Sequence, residues 1–203
     1  MSRLFAAIYD PFMRKTEQAC LAAWRRDLLS SLSGRVLEIG AGTGANVPLY
    51  PPAVTSLVLA EPDPHMLARL RRRAPPHAEL LSAPCDALPF PDASFDAVVS
   101  TLVLCSVPDP SRALSELRRV LRPGGTFVFL EHVAGTDASS RLFWQRRIEP
   151  FWKRIAGNCH LTRPTGETIR EAGFVVEQET QESMRKAMPW FRPSIRGIAR
   201  KPA

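Results

Sequence analysis

Short apolar runs, each too brief for a helix, recur along this sequence with amphipathic stretches between them, and that alternation admits few folds. The runs are Arg35–Ile39, Ser56–Ala60, a weaker one over 78–82, Phe95–Thr101 and Thr126–Val133, followed by two terminal strands at about Phe174–Gln178 and Ser194–Arg200. Between them the spacing predicts helices from about Pro64 to Ala74, Ser111 to Leu121, Arg141 to Ile155 and Thr165 to Ala172. Residues 1–33 read as helical, with Leu21, Trp24 and Leu28 on one face. Phe95–Thr101 reads as apolar and continuous, as a parallel strand buried on both faces does. The expected fold is therefore α/β, a mainly parallel sheet with helices on both faces.

At 203 residues the chain can bury a substantial core, and its 45% apolar and 23% charged residues are those of a globular protein. No linker or repeat divides it, so one domain is expected over 1–203: a helical cap (1–33), a ligand-binding core (35–133) and a region beyond it (134–203). No run approaches the roughly 20 apolar residues of a membrane span. The N-terminus lacks the apolar core and cleavage site of a secretory signal, so a cytoplasmic location is expected. Cys20, Cys85, Cys105 and Cys159 are scattered without a Cys-x-x-Cys pair and read as free thiols. The net charge of +7 comes mainly from arginines spread over most of the helices, including the run Arg69 and Arg71 to Arg73. With no nucleic-acid-binding motif present, these read as solvated faces, and no nucleic-acid partner is expected.

In an open α/β sheet a ligand sits beyond the carboxyl ends of the strands. The loop after the first strand is Gly40-Ala41-Gly42-Thr43-Gly44, whose glycines permit sharp turns and close approach of a ligand. A dinucleotide fingerprint would place a third glycine where Ala45 stands, and alanine is a permitted variant there. Glu61 closes the second strand, where a carboxylate accepts hydrogen bonds from both hydroxyls of a ribose. Loop and acid together indicate an adenosine ligand, and NAD and S-adenosylmethionine share that group.

Val36-Leu37-Glu38-Ile39-Gly40-Ala41-Gly42-Thr43-Gly44 resembles the first motif of the class I S-adenosylmethionine-dependent methyltransferases. Glu61 to Leu67 resembles the family's ribose-binding segment, Ala87 to Asp96 the motif leading into the fourth strand, and Arg119 to Gly125 the helix stop before the fifth. The resemblance implies a Rossmann-like, seven-stranded, mainly parallel sheet and S-adenosyl-L-methionine as methyl donor, leaving S-adenosyl-L-homocysteine. It implies donor binding by Glu38, Gly40, Ala41, Gly42, Gly44, Asn46, Glu61, Pro62, Met66, Cys85, Asp86, Ala87, Thr101 and Leu102. Glu38 would help fix the loop and the methionine ammonium, and an acid there suits a cationic donor better than a pyrophosphate. Many relatives carry Asp-Ala where Pro84-Cys85 stands here, so the adenine would be held by the backbone of Cys85 or by Asp86.

Within that superfamily Thr101 to Val107, Leu130 to Val133 and Gly157 to Leu161 resemble the membrane-associated thiol methyltransferases, and more distantly the quinone-forming ones. The N-terminal hydrophobic anchor of the former has no counterpart here; peripheral membrane contact stays open. A small, apolar or thiol-bearing acceptor is implied. In-line methyl displacement draws chiefly on proximity, and a thiolate needs little help, whereas a phenol needs a base. Candidates for the acceptor side are His132, His160 and Cys105, with Tyr9 and Asp10 closing the site. Cys159-His160 does not read as a metal pair, because chain neighbours point apart and no second pair is spaced for zinc, so no metal is expected. Phe143, Trp144, Phe151 and Trp152 read as core or as the wall of an apolar acceptor pocket, with a membrane-facing patch the other reading. A nicotinamide-dependent oxidoreductase and a non-catalytic binding protein are the competing functions. A nucleic-acid amino-methyltransferase is disfavoured, since Thr101-Leu102-Val103-Leu104 stands where its Pro-Pro motif would be.

Overall fold

The computed structural model describes residues 3–136 and 140–203; residues 1, 2 and 137–139, in the expected cap and acceptor-side region, lie outside them. Helices α1 (Arg3–Thr16) and α2 (Ala22–Leu29) are joined by a π-helical turn, Glu17–Leu21. Then come β1 (Gly34–Ile39), β2 (Val54–Ala60), α3 (Pro64–Leu70), β3 (Glu79–Leu81), β4 (Phe95–Thr101) and α4 (Pro110–Val120). The chain continues through β5 (Leu121–His132), α5 (Ser140–Ile155), α6 (Thr165–Glu171), β6 (Val175–Ser183) and β7 (Pro193–Arg200).

These strands form one seven-stranded sheet in the order β3-β2-β1-β4-β5-β7-β6. All neighbours are parallel except β7, which is antiparallel to both β5 and β6. Successive residues of a strand face opposite ways, and the core divides accordingly. Val36, Leu59, Val99, Val128 and Leu130 pack under α1, α2, α3 and α5. Leu37, Ile39, Val98, Phe127 and Phe129 pack under α4 and α6. Strand order reverses between β1 and β4, which places a crevice at their carboxyl ends.

Local chemistry fixes the element ends. Asp63 caps α3 by accepting from the backbone N–H groups of His65 and Met66, and Asp109 caps α4 by accepting from that of Arg112. Helix α3 stops at Leu70, four residues before the expected end, and gives way to turns before Pro75-Pro76. Strand β6 runs to Ser183, beyond the expected Gln178. Its residues are mostly polar and its edge position leaves them in water, so the ladder to β7 defines this strand and hydrophobic patterning does not.

Candidate active site

A cavity of about 450 Å³ opens beyond the ends of β1, β2 and β4. Of the residues expected at the donor, Gly40, Gly42, Glu61, Pro62, Met66, Cys85, Asp86, Thr101 and Leu102 line it. Glu38, Ala41, Gly44, Asn46 and Ala87 do not. Gly40 has a φ of +55°, and a Cβ there would meet Val103 Cγ2 at 2.6 Å, so the glycine lets this loop pass close to the one after β4. Gly42 has a φ of +58°, and a Cβ on it would meet nothing nearer than Gly40 O at 3.8 Å. Its place in the wall therefore leaves a cradle that any side chain would occupy.

Glu61 accepts from the backbone N–H of Gly42 (2.8 Å) and of Asp63 (2.9 Å), which aims it into the cavity with lone pairs remaining on both oxygens. Burial raises its carboxyl above the usual range, and the two backbone donors oppose that rise. Among the described residues lining the cavity, every charged one is a carboxylate: Glu61, Asp63 and Asp86. Such a wall suits an adenosyl group carrying a sulfonium and an ammonium. It repels a pyrophosphate, which would need cations or free helix N–H groups. The residues present fit S-adenosylmethionine and do not fit a dinucleotide.

Behind the loop lies a buried polar network that patterning could not reveal. Glu38 accepts from Asn46 Nδ2 (2.9 Å) and from the Tyr50 hydroxyl (2.7 Å), so both of its oxygens are engaged away from the cavity. Burial pushes its carboxyl up to about 7, partly offset by Tyr50, Arg25 and Asn46. Arg25, on α2, donates to Asn46 Oδ1 (2.9 Å), to Thr101 Oγ1 (2.8 Å) and to Glu17 Oε1 (3.1 Å). The cap, the glycine loop and the end of β4 are thereby joined in one charged cluster. The one sign of it in the sequence is an arginine four residues after Leu21, on the face that carries Trp24 and Leu28. Asp10 also ties the cap down: it accepts from the Thr43 hydroxyl at 2.6 Å and pairs with Arg73 at 2.5 Å. Arg73 donates in addition to Thr43 O (3.0 Å), so this member of the expected solvated run braces the glycine loop.

Glu131 is the other anchor that sequence reasoning missed as a site residue. Fully buried at the end of β5, it accepts from the Ser100 hydroxyl (2.6 Å) and from the backbone N–H groups of Val103 (3.0 Å) and Leu104 (3.1 Å). It thereby holds the loop after β4, in which Leu102 takes a φ of +61°, a strained value for a branched side chain. Burial pushes the Glu131 carboxyl up to about 7 against those donors.

A second cavity, of about 240 Å³, adjoins the first; Phe5, Tyr9, Leu102, Ser106 and Ala156 line both. Its remaining walls are apolar side chains of α1 and α5, Met188, Phe191 and the thiols of Cys105 and Cys159. The two sulfurs lie 3.7 Å apart. Each reinforces the other's state: Cys159 is held below the usual thiol range by Cys105, and Cys105 is raised well above it by Cys159 and by burial. Burial also raises the Tyr9 hydroxyl, which therefore stays protonated. His132 is fully buried, outside either cavity wall, and stacks on Phe191 at 4.7 Å between ring centres. His160 lies 3.6 Å from Glu149 through Nδ1 and lines neither cavity; burial lowers its pKa below the usual imidazole range. The structure thus brings Cys105 and His132 together, with Cys159 as the added member, and sets His160 apart.

Residues 37–129 match the family described as a methyltransferase domain. The chain is 42% identical to the thiol S-methyltransferase TMT1B of Homo sapiens over 182 residues, covering 85% of this chain and 74% of that protein. It is 35% identical to the thiol S-methyltransferase TMT1A of Homo sapiens over 197 residues, covering 89% and 80%. A solved S-adenosylmethionine-dependent methyltransferase from Thermotoga maritima shares the fold, with a TM-score of 0.70 at 23% identity over 98% of this chain and 97% of that one. With an anionic adenosyl cavity at the switch point of the sheet and these relatives over most of its length, the chain belongs to the class I S-adenosylmethionine-dependent methyltransferases.

Proposed function

We propose that the acceptor is a small apolar thiol, methylated on sulfur. The observation that carries this reading is the composition of the second cavity: it touches the donor cavity through Leu102 and Tyr9, and no carboxylate or imidazole is among its described lining residues. A phenol or an ammonium would arrive there with a proton and no carboxylate or imidazole to take it. A thiol ionises closest to neutral pH and needs least assistance. When bound, S-adenosylmethionine supplies a methyl group on a sulfonium. The chain's own work is to hold the ribose with Glu61, to keep the loop open at Gly42 and to set the Leu102 wall so that both ligands meet in a dry space. The two human relatives, both thiol S-methyltransferases, support the same acceptor class.

The test is release of S-adenosylhomocysteine with alkyl and aryl thiols, set against phenols and amines of the same size. Thiols should turn over and their oxygen and nitrogen counterparts should not. Preferential turnover of a phenol or an amine overturns the proposal.

The same reading extends to location. All four cysteines are free and buried, which fits a reducing compartment, and we place the enzyme in the cytoplasm at a membrane surface. Among the described residues no helix is long and apolar enough to cross a membrane. Leu4, Ile8 and Phe12 form an exposed stripe on α1, and Trp144, Phe151 and Ile155 another on α5. Ile8, Phe12 and Ile155 also line the second cavity, so its mouth lies within this apolar surface. Arg14 and Lys15 end α1, and Lys153 and Arg154 end α5, a charge pattern that suits anionic lipid.

A further inference from the structure

The geometry points to a zinc site built from Cys105, His132 and Cys159, whose open fourth position faces the second cavity and takes the acceptor's sulfur; the acceptor half of this inference rests on the thiol reading above. One ligand atom from each residue lies within 4.8 Å of the others, and all three residues are buried. Zinc held tetrahedrally with Zn–S bonds of about 2.3 Å sets its sulfurs about 3.8 Å apart and a sulfur and an imidazole nitrogen about 3.5 Å apart. The sulfurs here are 3.7 Å apart. A disulfide would require about 2.05 Å.

The imidazole supplies the second observation. Neither ring nitrogen of His132 makes a hydrogen bond of ordinary geometry, although the residue is wholly buried, and its polar neighbour is the Cys105 thiol. Buried nitrogens so poorly satisfied are costly, and coordination of one of them by a metal removes much of that cost. Phe191 fixes the ring by stacking. The sulfurs are fixed by the loop that carries Cys159: His160 N–H donates to Cys105 O (2.8 Å), Asn158 Nδ2 to Ser106 O (2.9 Å), and Arg163 Nη1 to Leu104 O (2.5 Å). Stacking and these backbone bonds hold the three ligands in place before a metal arrives.

Three protein ligands leave one position free, as in zinc enzymes that bind water or substrate there. Two thiolates, a neutral imidazole and Zn²⁺ sum to zero charge, which burial tolerates. Cys105 and Cys159 reach the cavity wall, while His132 stands behind them, so the free position is on the cavity side. An entering thiol loses its proton to the buffer as its sulfur binds zinc. The bound sulfur then forms a bond to the donor's methyl carbon as the bond from that carbon to the sulfonium breaks, and the electron pair stays on the donor's sulfur. The thioether product is neutral, a weaker ligand, and departs. The cavity's missing base is thus replaced by a Lewis acid.

Reduced protein is stripped with a chelator and titrated with Co²⁺ as a spectroscopic stand-in for zinc. One equivalent should bind with thiolate-to-cobalt charge-transfer absorption and tetrahedral ligand-field bands. Cys159→Ser should lower the charge-transfer intensity, and His132→Ala should weaken cobalt binding by more than roughly 100-fold. Calorimetry with S-adenosylhomocysteine shows that each variant is folded; where a variant is not, the wild-type spectrum alone decides. No stoichiometric uptake, or a spectrum without the thiolate band, overturns the site. Addition of an apolar thiol should shift the ligand-field bands, and an unchanged spectrum overturns its role in binding the acceptor. Undiminished thiol turnover by the stripped protein would overturn that role while leaving thiol methylation standing. Cobalt binding without turnover of any thiol would support the site and remove the thiol reading.

Discussion

Glu38 and Glu61 stand at the ends of adjacent strands with different work to do. Glu61 faces the cavity, whereas Glu38 spends both oxygens on Asn46 and Tyr50. Both positions were legible, since an acid at a strand end beside a glycine loop is a local pattern. Their partners were not, because Tyr50 and Arg25 arrive from other segments. Glu61→Gln should weaken donor binding by roughly 10- to 100-fold, the worth of a charge-assisted pair to the ribose hydroxyls, with an unchanged melting temperature. Titration calorimetry with S-adenosylhomocysteine checks it, and unaltered affinity removes Glu61 from the ribose. Glu38 carries a pH dependence. The groups that face it are Tyr50, Arg25, Asn46 and Glu61; burial, helped by the Glu61 charge, outweighs the other three to raise its carboxyl from 4.5 to about 7. Across that window the folded protein binds more protons than the unfolded chain, so this residue's contribution to stability is largest below 4.5 and falls as pH rises through about 7. The full span corresponds to about 3 kcal/mol. Melting temperatures measured across the window should decline with pH more steeply in the wild type than in Glu38→Gln, and parallel curves would refute the assignment.

Among the elements, the N-terminal cap departs most from its sequence. The apolar spacing of Leu21, Trp24 and Leu28 predicts a helix but not the π-helical turn at Glu17–Leu21. That turn leads directly into the segment that carries Arg25, and Glu17 within it is one of that arginine's partners. The cap is therefore coupled to the donor site by charge as well as by packing. Arg25→Met keeps much of the apolar stem but leaves Asn46 Oδ1 and Glu17 without their donor, so donor affinity should fall by roughly 10-fold or more. Proteolysis within residues 3–29 should accelerate in the same variant. Arg25→Lys should not restore affinity, because one ammonium cannot span Asn46, Thr101 and Glu17 in the geometry of a guanidinium. Full rescue by lysine would reduce the arginine to a point charge. Strand β6 shows the opposite limit: it is an edge strand in water, so the pattern that revealed β4 had nothing to mark in it.

At the scale of the molecule, charge and apolar surface are arranged together. The sheet and its order follow from alternating elements that the sequence displays openly. The paired cavities do not, because they form where α1 and α5, distant in sequence, lean over the end of β4. Trp144 and Phe151, expected in the core or in a pocket wall, are instead 56% and 63% exposed, whereas Trp152 is buried. Their spacing of seven put both on one face of α5, but spacing alone cannot tell a face turned inward from one turned outward. Exposed apolar area on that scale marks a docking surface, and on the lipid-surface reading proposed above the basic residues ending α1 and α5 would favour an anionic bilayer over a neutral one. The protein should therefore sediment with vesicles containing phosphatidylserine and far less with pure phosphatidylcholine. Trp144→Ser combined with Phe151→Ser should reduce the bound fraction several-fold without lowering donor affinity, since neither residue lines either cavity. Added salt should weaken binding to the anionic vesicles, because screening removes the charge contribution and spares the apolar one. Equal binding to both lipids would show that the basic residues do not recognise the surface, and no binding to either would leave the apolar face to another partner. If the surface reading holds, a thiol partitioned into the bilayer meets the mouth of the second cavity between Phe12 and Ile155. Turnover of long-chain thiols should then rise when anionic vesicles are added and stay flat for short water-soluble ones.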